Sequence, residues 1–318
     1  MDCRNLGRAG VKVSPLCLGS MNFGRPTDEA ESIRIIHEAL DAGINFIDTA
    51  NVYNRGTSET IVGKALKGKR DRVVLATKVH GVMGEGPNER GNSRYHITQQ
   101  VEASLRRLDT DHIDLYQLHR PDPDTPMDEQ LGVLTDLVRQ GKVRYIGTSS
   151  FPAWELCEAL WISDKYNYER FVCEQPPYSI LVRGVEKEVL PFCAKYGFGV
   201  IPWSPLGGGW LTGKYRKGKE APPDSRGGRR GWDLSSPASQ RRLDAVEKLI
   251  PLAEGLGVTL SQFSLAWVLA HSTVTAPIIG PRTTEQLHDN LKVVDIEIPE
   301  EVLEKVDEIV PPETDLPR

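Results

Sequence analysis

Two short runs, "CRNL" and "VKVS", flank "GRAG" at the start of the chain, and this pattern predicts a small β-hairpin. "LCLGS" follows as an apolar run that stops on Gly19 and Ser20. A rhythm then sets in. Ile33, Ile36, Ala39 and Leu40 recur at helical spacing and close on Gly43, and "INFID" is a strand. "SETIVGKALKG" reads as a helix with Ser58 as its N-cap, before the strand "RVVLATK". The pair repeats through "IDLYQLH", "VRYIGTSS", "FVCEQ", "FGVIPWS" and "VTAPIIG", each preceded by a helical pattern. Eight apolar strands alternating with helices predict parallel pairing with both sheet faces covered. With no linker to divide 318 residues, the expected fold is one α/β domain over 1–318, a (β/α)8 barrel.

One stretch breaks the rhythm. Tyr215 to Arg242 is rich in Gly, Pro and Arg, and is too long for an ordinary connection. It is either an irregular surface excursion or, as expected of a long loop after a barrel strand, a basic lid over an anionic ligand. Two other architectures fail on their motifs. A dinucleotide-binding doubly wound sheet wants G-x-G-x-x-G after its first strand, where this chain has "LGSMNFG". "GGWLTGKY" nearly spells a phosphate-binding P-loop, but Tyr215 stands where a small hydroxyl should meet magnesium.

Composition changes the picture little. A net charge of −5 and an unremarkable apolar fraction fit a globular protein and point to neither nucleic acid nor membrane as partner. The N-terminal stretch lacks an apolar targeting segment, so the expected location is cytoplasmic. Five cysteines, without C-x-x-C or metal-ligand spacing, read as buried or half-buried thiols, and no metal is expected.

Chemistry in such a barrel collects at the C-terminal strand ends. Those ends carry Gly19-Ser20-Met21, Asp48 with Tyr53 beyond it, Lys78, His119, Ser149-Ser150, Gln175, Trp203-Ser204 and Gly280. Singly, Asp48 could cap a helix, Tyr53 pack under its loop, and Lys78 and His119 be ordinary strand-end residues. Together on consecutive strands they suit proton donation to a carbonyl oxygen while hydride reaches its carbon. Lys78 would lower the pKa of the Tyr53 phenol, Asp48 would hold Lys78, and His119 would donate to the carbonyl oxygen. The hydride requires a cofactor.

These residues sit in recognisable company. "GINFIDTANVY", "LATK", "IDLYQLHRPD", "GKVRYIGTSSF", "EQPPYS", "PWSPLGGGWLTGKY" and "IIGPRTTEQLHDN" resemble the aldo-keto reductase superfamily over essentially the whole chain. The resemblance implies an NADPH-dependent carbonyl reductase with Asp48, Tyr53, Lys78 and His119 as catalytic set. Gly19, Ser20, Met21 and Asp48 would border the cofactor, and Ser149, Ser150 and Gln175 would hold the nicotinamide carboxamide. Trp203 would stack on the ring, and Ser204, Pro205, Leu206, Gly207 and Lys214 would take the pyrophosphate. Arg226, Gly280, Arg282, Gln286, Asp289 and Asn290 would serve the adenosine end. Departures from the family pattern are Ser150, where Asn or Arg is common, and Pro281, where a small residue is usual. A Lys-Ser pair that grips the 2′-phosphate in some members is replaced here by Arg282 with Arg226.

Within the superfamily, "RPDPDTPMDE" also resembles the β-subunits of voltage-gated potassium channels, an NADPH-binding regulatory alternative. Members of that branch tend to carry Asn where this chain has His119, which favours turnover. "MNFG", "DTANVY" and "ATKVHG" are similar to bacterial reductases of nucleotide-linked keto-sugars. The expected partner is a small carbonyl substrate, in a pocket that Met21, Phe23, His80, Trp210 and Trp232 could line.

Overall fold

A computed structural model describes residues 1–317. The hairpin forms from β1 (Arg4–Asn5) and β2 (Lys12–Val13), paired antiparallel. Eight parallel strands follow: β3 (Cys17–Gly19), β4 (Phe46–Asp48), β5 (Val74–Val79), β6 (Ile113–Leu118), β7 (Val143–Ser149), β8 (Cys173–Gln175), β9 (Gly199–Val200) and β10 (Ile278–Ile279). They pair in chain order, and β10 returns to lie beside β3. The last gap closes through the parallel bridge Val200–Val274, with Thr275 N donating to Val200 O (2.7 Å) and Ile278 N to Pro202 O (2.9 Å). The sheet is therefore a closed (β/α)8 barrel.

Helices α1 (Glu29–Asp41), α2 (Thr57–Leu66), α3 (Arg94–Leu108), α4 (Met127–Arg139), α5 (Ala153–Tyr166) and α6 (Val189–Tyr196) connect successive strands. After β9 come α7 (Arg226–Arg229), α8 (Pro237–Gly255) and α9 (Leu260–Ala270), and α10 (Thr284–Leu291) and α11 (Glu300–Ile309) follow β10. Outward-facing strand residues such as Leu18, Ile47, Leu75, Tyr116 and Ile146 meet the buried helix faces in one continuous core. Inward-facing Cys17, Phe46, Ala76, Leu115, Cys173 and Ile201 fill the barrel, joined by Leu6 and Val13 from the hairpin, which plugs its N-terminal end. Among the described residues, no single helix is long and apolar enough to cross a membrane.

Three expectations need correction. Ser58 does not cap α2; Gly56 does, in a left-handed conformation, and Ser58 is buried with its hydroxyl on Ser20 O and Oγ, both at 2.8 Å. The stretch 215–242 is not wholly irregular, because α7 lies within it and α8 already begins at Pro237. Of the cysteines, Cys17, Cys173 and Cys193 are buried, whereas Cys3 and Cys157 are exposed.

Candidate active site

Strand alternation builds the site. Two residues beyond the inward apolar layer, on the same faces, stand Gly19, Asp48, Lys78, Gln117, Gln175 and Trp203. A polar layer thus lies on an apolar one at the C-terminal end of the barrel. Asp48 and Lys78 are buried, and their charges are tolerable there only with every hydrogen-bonding site occupied. That condition is met. Lys78 Nζ donates to Asp48 Oδ1, to Thr49 O at 2.9 Å and to Tyr53 Oη at 3.2 Å, using all three protons. Asp48 Oδ2 accepts from Gln117 Nε2 at 3.1 Å and Gln175 Nε2 at 3.0 Å, and Gln175 also donates to Gln117 Oε1 at 3.1 Å.

The loop after β4 brings Tyr53 back over this cluster. Thr49 N donates to Ala76 O and Asn51 N to Lys78 O, so the chain keeps pairing with β5 beyond the strand. Asn54 and Arg55 then adopt left-handed φ of 48° and 55°, which turns the chain sharply. Asn54 fastens the turn by donating to Phe23 O at 2.6 Å. His119 follows β6, held by its N–H on Val79 O, and its ring meets that of Tyr53 edge-on at 5.7 Å.

Burial pushes the Tyr53 phenol above its ordinary range, against the pull of the Lys78 charge, and Asp48 adds to the rise. The expectation that Lys78 brings the phenol below its usual pKa is therefore not met; the ammonium offsets part of the burial. Lys78 is drawn down by burial, but Asp48 and Tyr53 together raise it, so it stays charged. His119 falls to about 2, through burial and then the charges of Lys78, Arg120 and His80. The set at neutral pH is a protonated phenol, an ammonium and a neutral imidazole.

On the far side of the mouth, Ser149 Oγ donates to Gln175 O at 3.0 Å. Ser150 has φ of 63°, and Trp203 Nε1 donates to its hydroxyl at 3.2 Å. Arg120 lies with its guanidinium 5.5 Å over the Trp203 ring and donates to Ser149 Oγ (3.2 Å) and Ser150 Oγ (3.3 Å). Its backbone is fixed from behind by Asn92, which donates to Arg120 O at 3.0 Å. Beyond Trp203, Ser204 has φ of 54° and Gly207, Gly208 and Gly209 all have positive φ in a tight turn. This turn faces a cationic cluster. Lys214 is pushed down by burial and then by Arg282, Arg226 and Arg229, and Arg226 is pushed down by burial and by Arg230, Arg229 and Arg282. Like charges gathered this closely fit a polyanion such as a dinucleotide's phosphates, and Trp203 fits a flat ring.

The remaining expected residues scatter. Ser20 is buried beneath the site and tied to Ser58, while Met21 is exposed. Pro205 is buried, Leu206 packs on the core, and Gly280 O accepts from Asn22. Gln286 Oε1 accepts from Arg282 N, Asp289 accepts from Gln262, and Asn290 is buried. Phe23 belongs to the outer core and cannot line a pocket. Trp210 stacks on Trp232 at 5.2 Å, and both rings pack against Tyr215. Gln117 and Asn92 were not anticipated. Gln117 was within reach, since it sits two residues after inward Leu115 and two before His119.

A strand-end carboxylate, ammonium, phenol and imidazole at the mouth of an eight-stranded barrel, beside an aromatic shelf and a cationic turn, define a barrel oxidoreductase site. The chain belongs to the aldo/keto reductase family, whose model matches residues 15–311. It is 46% identical to "Uncharacterized oxidoreductase YrpG" of Bacillus subtilis, over 98% of this chain and 96% of that protein. It is 40% identical to a "Putative voltage-gated potassium channel subunit beta" of Schizosaccharomyces pombe, over 96% of this chain and 92% of that protein. A "Probable voltage-gated potassium channel subunit beta" of Arabidopsis thaliana shares 38%, over 98% and 97%.

Proposed function

We propose that this protein reduces the carbonyl of an aldehyde or ketone to the alcohol, with NADPH as the hydride source. The observation that carries this reading is the Lys78 ammonium, held from behind by Asp48 and 3.2 Å from a Tyr53 hydroxyl that keeps its proton. Bound reduced nicotinamide supplies the hydride. Tyr53 Oη gives its proton to the carbonyl oxygen, and the phenolate left behind is stabilised by Lys78. Neutral His119, edge-on to Tyr53, donates a hydrogen bond to the same oxygen and orients the carbonyl. Trp203 would provide the shelf for the ring with Ser149 and Gln175 beside it, and Arg226, Arg229, Arg282 and Lys214 would hold the phosphates. These arginines, rather than an acidic residue, favour the phosphorylated cofactor over NADH.

The kinship with two proteins named as potassium-channel β-subunits supports a second reading, a cofactor-binding regulatory partner. The completeness of the proton-transfer set favours turnover. A third reading, reduction of a nucleotide-linked keto-sugar, draws on the basic lid, whose charges the cofactor's own phosphates also use.

The test is NADPH oxidation with aldehydes, ketones and keto-sugar nucleotides, comparing wild type with Tyr53→Phe. The variant should lose about 10²–10⁴-fold in kcat while still binding NADPH, because only the proton donor is removed. Equal rates would end the assignment. NADPH binding without turnover of any carbonyl would favour the regulatory reading.

A further inference from the structure

Helix α5 turns Leu156, Ala159, Ile162 and Ser163 into the barrel core. Its opposite face is not the polar stripe that a surface helix ordinarily presents. Trp154 and Trp161 stand there 64% and 61% exposed, two turns apart on one side of the helix. Glu158 and Lys165 occupy the same stripe, both exposed, so that it reads Trp154, Glu158, Trp161, Lys165 from N- to C-terminus. Lys165 lies over its own Trp161 at 5.1 Å and over Tyr166 at 4.8 Å, whose other neighbour is the stacked ring of Tyr168 at 5.6 Å. Two indoles so bare on one helix face form an apolar surface of a kind that soluble proteins reserve for contacts.

The order of charges says what covers it. Read backwards the stripe is Lys, Trp, Glu, Trp, which is the complement of itself in an antiparallel pair. We propose that α5 docks on α5 of a second copy of this chain, antiparallel, about a twofold axis crossing between Glu158 and Trp161. In that arrangement Lys165 of each copy lies against Trp154 of the other and within one turn of its Glu158. The two Trp161 rings flank the axis. Such a contact is isologous, the commonest form of homodimer. A membrane surface suits the stripe poorly, because Glu158 would face the lipid headgroups between the two indoles. One helix pair hides less than the ~800 Å² per partner of a standard interface, so the dimer is a reversible one with a dissociation constant on the order of 10 µM. The inference stands apart from the reductase reading, since no active-site residue takes part.

Sedimentation velocity over a range of protein concentrations reads the equilibrium directly. Wild type should pass from monomer to dimer across the micromolar range, and Trp154→Ser with Trp161→Ser should weaken association at least tenfold. Glu158→Lys alone and Lys165→Glu alone should each do the same, by bringing like charges within one turn of each other across the axis. Mixed in equal amounts, these two single variants should recover a dimer, because each supplies the charge that the other lacks. No folding defect could produce that recovery, and an unchanged circular-dichroism spectrum and melting temperature for each variant check the fold independently. A wild type that stays monomeric throughout overturns the proposal. So does a dimer indifferent to the tryptophans, or a mixture that associates no better than its components.

Discussion

Tyr53 holds its proton because burial outweighs the pull of Lys78, and His119 stays neutral because burial and neighbouring cations both oppose a second proton. The reductive proton donor must be protonated, so activity is lost only as pH rises through the raised Tyr53 pKa. His119 would charge only near pH 2, far below the working range. The expected profile of kcat/KM for carbonyl reduction is flat from about pH 5 to about pH 9, with a single alkaline limb above it. An acid limb centred near pH 6.5 would show that His119 titrates and carries the proton itself. Gln117 matters at the same scale. It and Gln175 both donate to Asp48 Oδ2, leaving Oδ1 for Lys78, so the two amides fix the carboxylate that fixes the ammonium.

At the scale of elements, strand β8 shows how one strand serves two faces. Its inward residues Cys173 and Gln175 belong to the barrel, while Glu174 between them points outward and is fully buried. Glu174 accepts from Thr148 Oγ1 at 2.5 Å and Phe151 N at 3.2 Å, which ties the turn after β7, with its left-handed Ser150, to the next strand. Burial raises its pKa to about 8 despite these bonds. A carboxyl with a folded pKa above its unfolded value stabilises the fold below the unfolded pKa, and that contribution is lost as pH rises towards 8. Glu174→Gln removes the slope. The variant should gain stability relative to wild type between pH 5 and pH 8, by on the order of 2–4 kcal/mol at the upper end, read as a rising difference in melting temperature. Parallel melting curves at all pH values would show that Glu174 ionises freely in the fold.

The same strands show what could be read in advance. The C-terminal ends of the apolar strands located Asp48, Lys78, Gln175 and Trp203, because strands covered on both faces read as short apolar runs whose polar ends stand out. Helix starts were less legible. Ser58 resembles a cap by residue type, but Gly56 takes the left-handed turn that the Tyr53 loop imposes, and the helix begins two residues sooner. Helix α7 could not be foreseen, since Gly227 and Gly228 disfavour helix. It exists because Ser225 Oγ caps Gly228 N and Tyr215 Oη accepts from Gly227 N, a contact twelve residues distant. The reach of Arg120 across the mouth to Ser149, Ser150 and Trp203 is likewise a product of tertiary placement.

The whole molecule separates its tasks along the barrel axis, with chemistry at the C-terminal mouth and closure at the N-terminal end, where β1 and β2 insert Leu6 and Val13 beneath the strands. The plug seats through Gly7. Its φ is 58°, and a Cβ there would lie 2.3 Å from Gly199 N and 2.5 Å from Gly197 O, both backbone atoms beside β9 that cannot yield cheaply. Arg8 N donates to Gly197 O at 2.7 Å, which confirms how closely the hairpin meets the barrel floor. Gly7→Ala should therefore cost about 1–3 kcal/mol, from the strained backbone and the displaced plug together, read as a lower urea midpoint. Gly10→Ala, in the same turn, is the matched control: a Cβ there meets nothing within 4 Å, so its midpoint should stay near wild type. Because the plug lies at the opposite end from Tyr53 and Lys78, kcat per folded molecule should be unchanged in both variants. A Gly7→Ala protein of full stability would mean that the hairpin rests against the barrel without sealing it. A loss of kcat at full stability would mean that the two ends of the barrel are coupled through the strands.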